Sequence, residues 1–275
     1  MTYTLQTYIA VNLCGITNVP QATAWLPPGY TLTGGGAWDL WTGTGNLLTA
    51  SYPVQAPGAP TNANYTGWCA AGLNAQNSTP AALAVFAIGI QVLNNGAPVT
   101  INQSVTQSTG QQAAHPTATA LVTANFTGTG GGAIDNYGTG AGNMLTGSYP
   151  QISAAGDITG WIATGKDQVQ SDPSTITAYA IGIQIPNVDF DIDVNSFTGS
   201  SGEFPSASLS VPSGNVLIAG GALDAWPGAG NLLTASYPII GSGGVATTWQ
   251  ANGKDQGLVD PSGTITVWVV SMELT

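Results

Sequence analysis

One segment of this chain is written three times, and that repetition limits the fold more than any other feature. Gly34-Gly35-Gly36-Ala37-Trp38-Asp39, followed by Asn46-Leu47-Leu48-Thr49-Ala50-Ser51-Tyr52-Pro53, returns as Gly130–Asp135 with Asn143–Pro150 and as Gly220–Asp224 with Asn231–Pro238. Each copy then supplies a Trp (Trp68, Trp161, Trp249) and closes on an apolar run (82–92, 175–185, 264–272). Pro20 to Asp39, Pro116 to Asp135 and Pro205 to Asp224 span equal lengths, while the insertions fall after the Tyr-Pro pairs. A fixed core with variable loop tips behaves this way. The repeats are 1–97, 98–186 and 187–275.

Each repeat reads as strands. Gly and Pro punctuate short β-branched and aromatic runs, and no window keeps a helical apolar period. In the first copy strands are expected near Thr4–Val11, Ala22–Leu26, Thr31–Asp39, Leu47–Tyr52, Gly67–Leu73 and Ala82–Val92. Val188–Val194 alternates strictly, with Asp189, Asp191 and Asp193 on one face, the pattern of a solvated edge strand. The joins near Gly96–Val99 and Pro186–Val188 are too short for flexible linkers. The expected fold is therefore all-β: three tandem antiparallel repeats, of prism or sandwich type, packed around a pseudo-threefold axis.

Charge narrows the partners. Of 275 residues only 5% are charged, against about 25% in ordinary soluble domains, and 13 acids face 2 bases for a net charge of −11. There is no basic stripe for phosphates and no cationic segment for anionic lipid, which excludes nucleic acid and membrane binding on charge. No apolar run reaches the roughly 20 residues of a membrane-spanning helix. Met1–Ala10 lacks the basic-then-apolar profile of a secretory signal. That leaves cytoplasmic synthesis, a leaderless export route or a removed leader, with an extracellular or cell-surface location favoured.

The candidate site residues are those kept across copies. Asp39, Asp135 and Asp224 recur, each followed two residues later by an aromatic: Trp41, Tyr137, Trp226. An aromatic face stacks on the apolar side of a pyranose while a carboxylate accepts from its hydroxyls, and residues i and i+2 of a strand share a side. The Gly-rich turn Gly43–Gly45 lies beside the first pair. The competing reading is a turn-capping Asp with an aromatic covering the core edge. Trp68, Trp161 and Trp249 read as core indoles packed on the small residues of the Gly-Gly-Ala strand; Tyr52, Tyr149 and Tyr237 are open between core and surface.

The only bases stand at one equivalent position, in Gly165-Lys166-Asp167-Gln168 and Gly253-Lys254-Asp255-Gln256. Lys166, Asp167, Lys254 and Asp255 are either ligand contacts or part of a structural ion pair with the Asp of the Gly-Gly-Ala strand. An objection to the pair is that Asp39 persists although the first copy carries Leu73-Asn74 there. Cys14 and Cys69 occur in the first copy only, in segments readable as neighbouring strands, bonded or not.

Catalysis is not expected. His115, the single histidine, has no counterpart in the other copies, and no nucleophile elbow or phosphate loop is present. Recurrent acids suit repeated sites rather than one glycosidase centre. No cofactor or metal is expected.

The Gly-Gly-Gly-Ala…Asn-Leu-Leu-Thr-Ala-Ser-Tyr-Pro…Trp…Gly-Lys-Asp…Ile-Thr-Ala-Tyr-Ala-Ile-Gly-Ile pattern resembles a repeat of an uncharacterised bacterial family with many secreted members. It covers the whole chain and implies no site residues; by architecture alone the chain is similar to pseudo-threefold lectins. Two functional expectations follow. The first is a non-catalytic, multivalent, lectin-like binder of glycans or glycoconjugates with about three related sites. The alternative is a self-assembling coat, filament or matrix protein without a small ligand, since little charge means little repulsion between subunits. A homo-oligomer fits either.

Overall fold

A computed structural model describes residues 2–43, 46–74, 79–138, 143–168, 170–228, 230–255, 257, 259 and 261–275. Thr44 and Gly45 of the Gly43–Gly45 turn and Gln256 lie outside the described residues. The first repeat contributes β1 (Tyr3–Thr17), β2 (Gln21–Trp25), β3 (Thr31–Leu40), β4 (Leu47–Gln55), β5 (Tyr65–Leu73), β6 (Ala81–Asn94) and the two-residue β7 (Ala97–Pro98). The second contributes β8 (Asn102–Thr109), β9 (Thr117–Leu121), β10 (Thr127–Asp135), β11 (Asn143–Ile152), β12 (Ile158–Asp167) and β13 (Ile176–Gln184). The third contributes β14 (Phe190–Thr198), β15 (Ser206–Ser210), β16 (Val216–Ala225), β17 (Leu232–Ile240), β18 (Ala246–Lys254) and β19 (Thr264–Leu274). All six strands expected in the first copy are present. β1 runs well past Val11, because its pairing with β6 continues through Asn12 and Leu13 although the apolar pattern there is broken.

The strands form three antiparallel sheets, one of seven strands and two of six. Each sheet takes strands from two repeats. The first runs β1-β6-β3-β17-β18-β15, with β7 added on β6; the second runs β2-β5-β4-β10-β13-β8; the third runs β14-β19-β16-β11-β12-β9. The seams between repeats are short ladders: Ala235 opposite Trp38, Ser51 opposite Ala133, and Gly147 opposite Leu223. The result is a three-sided, pseudo-threefold arrangement in which every repeat is a small sandwich whose halves belong to different sheets.

The glycine triplet builds the centre. A Cβ on Gly35, Gly131 or Gly220 would stand 2.2–2.3 Å from the indole of Trp68, Trp161 or Trp249 respectively. The Trp reading from sequence therefore holds: each indole is buried, and its Nε1 donates to Ser51, Ser148 or Ser236 at 2.8–2.9 Å. A Cβ on the next glycine, Gly36, Gly132 or Gly221, would stand 2.3–2.7 Å from a serine carbonyl across the seam. The first position lies near the axis, where Gly34 and Gly130 face Ala219. There Thr33 donates to the Ile218 carbonyl (2.9 Å) and Thr129 to the Thr33 carbonyl (3.2 Å). Leu47, Met144 and Leu232, one from each repeat, cluster together, with Leu73 packed beside them.

Candidate functional site

The seams collect nearly every residue singled out in the sequence. Asp39 is the last residue but one of β3, and Trp41 follows the last paired strand residue, Leu40. β3 is joined to β17, and β17 to β18 of the third repeat, so Lys254 at the end of β18 reaches across β17. Its Nζ sits 4.2 Å from the Trp41 ring centroid and draws on the Asp39 carboxylate. Lys166 of the second repeat makes the same crossing over β11 to the end of β16. Its Nζ lies 4.3 Å from the Trp226 centroid and donates to the Gly230 carbonyl. The reading of an ion pair inside one copy is thereby corrected: Lys254 acts on the Asp39 of the neighbouring copy through charge alone, and neither carboxylate oxygen of Asp39 has a hydrogen-bond partner among the described residues. Leu73 consequently does not face Asp39; its own seam partner strand is β10, which carries Asp135.

Burial dominates the electrostatics. Asp39, Asp135, Asp224, Lys166 and Lys254 are all buried. Desolvation raises Asp39 from 3.8 to about 7 even though the Lys254 ammonium pulls it down. Desolvation likewise lowers Lys254 from 10.5 to about 8 against the attraction of Asp39. Asp135 also rises to about 7, chiefly by burial, with Asp167 and Asp172 adding to the rise and the Ser174 hydroxyl, donating at 2.7 Å, opposing it. Buried carboxylates are out of reach of a ligand's hydroxyls, so the Asp and aromatic of each copy do not form a common exposed platform. Room for the acid comes from the glycine before the Lys or Leu position. A Cβ on Gly72, Gly165 or Gly253 would stand 3.0, 3.1 or 2.0 Å from Oδ2 of Asp39, Asp135 or Asp224.

Asp167 and Asp255 brace loops. Asp167 accepts from Asn143 Nδ2 (2.8 Å) and from the Asp172 amide (2.9 Å). Asp255 accepts from the amide and Nδ2 of Asn231 (3.0 and 2.8 Å). In the first copy Asn46 and Asn74 donate instead to the Thr79 carbonyl. These bonds explain why the Asn opening each Asn-Leu-Leu or Asn-Met-Leu run recurs.

The aromatics remain half-exposed: Trp41, Tyr137 and Trp226 are each partly open to solvent. They differ in company. Phe204 stacks on Trp41 (6.0 Å, 16°), His115 meets Trp226 edge-on (4.8 Å), and Tyr137 lies beside Thr49. Around Trp226 opens a cavity of about 300 Å³, lined also by His115, Thr117, Thr146, Thr164 and Leu223, with Asp224 buried behind it. Thr146 donates to Thr164 at 2.9 Å. The wall thus combines one indole with hydroxyls and no exposed ionised group.

A second aromatic feature escaped the sequence. Ser51, Ser148 and Ser236 point inward to the indoles, so the following Tyr52, Tyr149 and Tyr237 point outward. Each stacks across a seam: Tyr52 on Tyr179 (5.4 Å), Tyr149 on Trp268 (5.0 Å), and Tyr237 on both Trp38 (5.1 Å) and Phe86 (5.6 Å). The equal placement of Phe86, Tyr179 and Trp268 in the closing runs was the signal available. Cys14 lies on β1 and Cys69 on β5, in different sheets, and both are free thiols. Among the described residues no group of His, Cys, Asp and Glu could hold a metal, and no helix is long and apolar enough to cross a membrane.

Compared with known protein families and with curated proteins, the chain matches none.

Proposed function

We propose that this chain is a non-catalytic, multivalent, lectin-like binder of glycans, with its contacts at the three seams. The observation that carries the reading is the half-exposed Trp226 forming one wall of a seam cavity of about 300 Å³ beside Thr117 and Thr164, with Thr146 buried behind them. An aromatic face with nearby hydroxyls suits the apolar side and the hydroxyl rim of a sugar, and ionised groups at the contact would add only desolvation cost. Trp41 and Tyr137 hold the equivalent places at the other two seams. The buried Lys–Asp elements act from behind: Lys254 and Lys166 lie over the indoles and fix their tilt, while the aromatics and threonines make the contact. Single stacking contacts are worth about 0.5–1.5 kcal/mol, so useful affinity rests on several seams engaging one multivalent surface.

Glycan-array screening followed by titration of tryptophan fluorescence tests this. Trp226→Ala should weaken binding about tenfold, and the triple Trp41→Ala/Tyr137→Ala/Trp226→Ala should abolish it with the β-sheet circular dichroism retained. No glycan bound by the wild type, or undiminished binding by a folded triple variant, defeats the proposal.

A further inference from the structure

Pseudo-symmetry makes β1, β8 and β14 equivalent: each is the outermost strand of its sheet, hydrogen-bonded on one side only. Their sequences are not equivalent. Opposite the outward aromatics Phe86, Tyr179 and Trp268 they carry Val11, Gln107 and Ser196. Two residues on they carry Leu13, Thr109 and Thr198. In the second and third sheets those threonines are satisfied by a neighbour, Thr109 with Thr177 and Thr198 with Thr266, both at 2.8 Å. In the first sheet Leu13 lies opposite Ala84, and nothing polar is offered. β14 further carries Asp191 and Asp193, whereas no charged side chain occurs in the first 38 residues. Charge and polar residues on an edge are what keep free strands from pairing with other chains. β1, at 15 residues the longest strand, has neither Pro nor charge.

The exposed apolar side chains of β1 also have an order. Tyr8, Val11, Leu13 and Ile16 are 44%, 47%, 67% and 75% exposed, and they are placed symmetrically about Asn12. A twofold contact requires that if residue i meets residue j of the partner, j meets i. Antiparallel pairing of two β1 strands centred on Asn12 meets that condition. It sets Val11 against the partner subunit's Leu13 and Ala10 against the partner subunit's Cys14, and the regular register ends at the bulge between Cys14 and Thr17. We propose that β1 is the pairing edge of a closed, twofold homodimer in which the first sheets of two copies become one. The occupant is a second copy because the exposed residues complement themselves. The edge also lets two chains of net charge −11 approach where neither carries charge. This inference does not depend on what the seams bind.

Sedimentation velocity and light scattering of the full chain at micromolar concentrations test it, with an expected mass twice 27.6 kDa. The double variant Val11→Gln/Leu13→Thr, which writes the second copy's residues into the first, should give a monomer with unchanged circular dichroism and melting temperature. Asn12→Lys places like charges face to face at the twofold and should raise the dissociation constant at least about tenfold at low salt, with partial recovery at high salt. A monomeric wild type would leave the edge to some other partner and overturn the proposal. A species growing beyond two copies would overturn the closed twofold, and a dimer indifferent to all three substitutions would place the interface elsewhere.

Discussion

Two seams of the same design differ most at one crossing position. Between the third and first repeats, Lys254 crosses to Asp39 and Trp41; between the first and second, the crossing position holds Leu73, which instead joins Leu47, Met144 and Leu232. Both seams close with the same short ladder. The buried pair is therefore not needed to hold repeats together. That agrees with the general finding that a buried ion pair stabilises little against an apolar replacement, while half of one is costly. The first–second seam is such a half on its acidic side: Asp135 kept its carboxylate, and a serine hydroxyl took over part of the base's role.

The largest effect expected from this contrast is at Asp39. Asp39→Asn removes a carboxyl that burial holds at about 7 even beside Lys254, so in denaturant unfolding at pH 7 the variant should gain about 2–3 kcal/mol, less whatever Lys254 loses with its counter-charge. A loss at pH 7 would show that the charge of Asp39 matters more to Lys254 than its burial costs. Next is Asp135→Asn, which should act in the same sense with no base to lose. The folded-state value of Asp135 lies above its unfolded value, at about 7 against 3.8. Its contribution is fully present below the unfolded value and is lost as pH rises through about 7. Asn removes the penalty, so the variant should gain about 1–3 kcal/mol at pH 8 and nothing at pH 3.5; a loss at pH 8 would show that the ionised form is favoured in the fold.

Lys254→Met should show the same window from the other side of the comparison. The variant loses the burial cost of the Lys254 ammonium, and without its base Asp39 stays protonated to higher pH, so a gain of about 1–3 kcal/mol at pH 5 should shrink as pH rises toward 8. A deficit independent of pH would point to lost packing on Trp41 rather than lost charge. The smallest effect belongs to Leu73→Lys, which restores the missing base. Gained attraction offsets lost contact with Leu47, Met144 and Leu232, and net stability should move by less than about 1 kcal/mol. NMR titration of the Asp135 carboxyl is the sharper measure and should move downward; no downward shift would place the new ammonium away from Asp135.

How much of this was legible in the sequence depended on whether a residue's neighbour lay in its own copy. The Trp–glycine contact did, so Trp68 against the Gly-Gly-Ala strand was readable from spacing and side-chain size. The six strands of the first copy were readable because their turns carry Gly and Pro. The Lys254–Asp39 meeting was not: repeats show that two residues recur, and not by how many copies their partners are displaced. The rule that i and i+2 share a side misled at Asp39 and Trp41, because the strand ends between them and the chain turns away from the buried acid. β1 was drawn too short because Asn12 and Gly15 interrupt an apolar pattern that backbone pairing ignores.

The axis holds one methyl group, on Ala219, between Gly34 and Gly130. A Cβ on Gly34 would lie 2.5 Å from that methyl, and one on Gly130 would lie 3.0 Å from it and 2.4 Å from the Thr33 carbonyl. Three separate, identical subunits would have to place the same residue at all three positions, and three alanines would collide where one fits. Joining the copies in a single polypeptide frees each position to mutate alone. Ala219 is thus a residue that three identical subunits could not share, and its place at the axis depends on the three positions being free to differ.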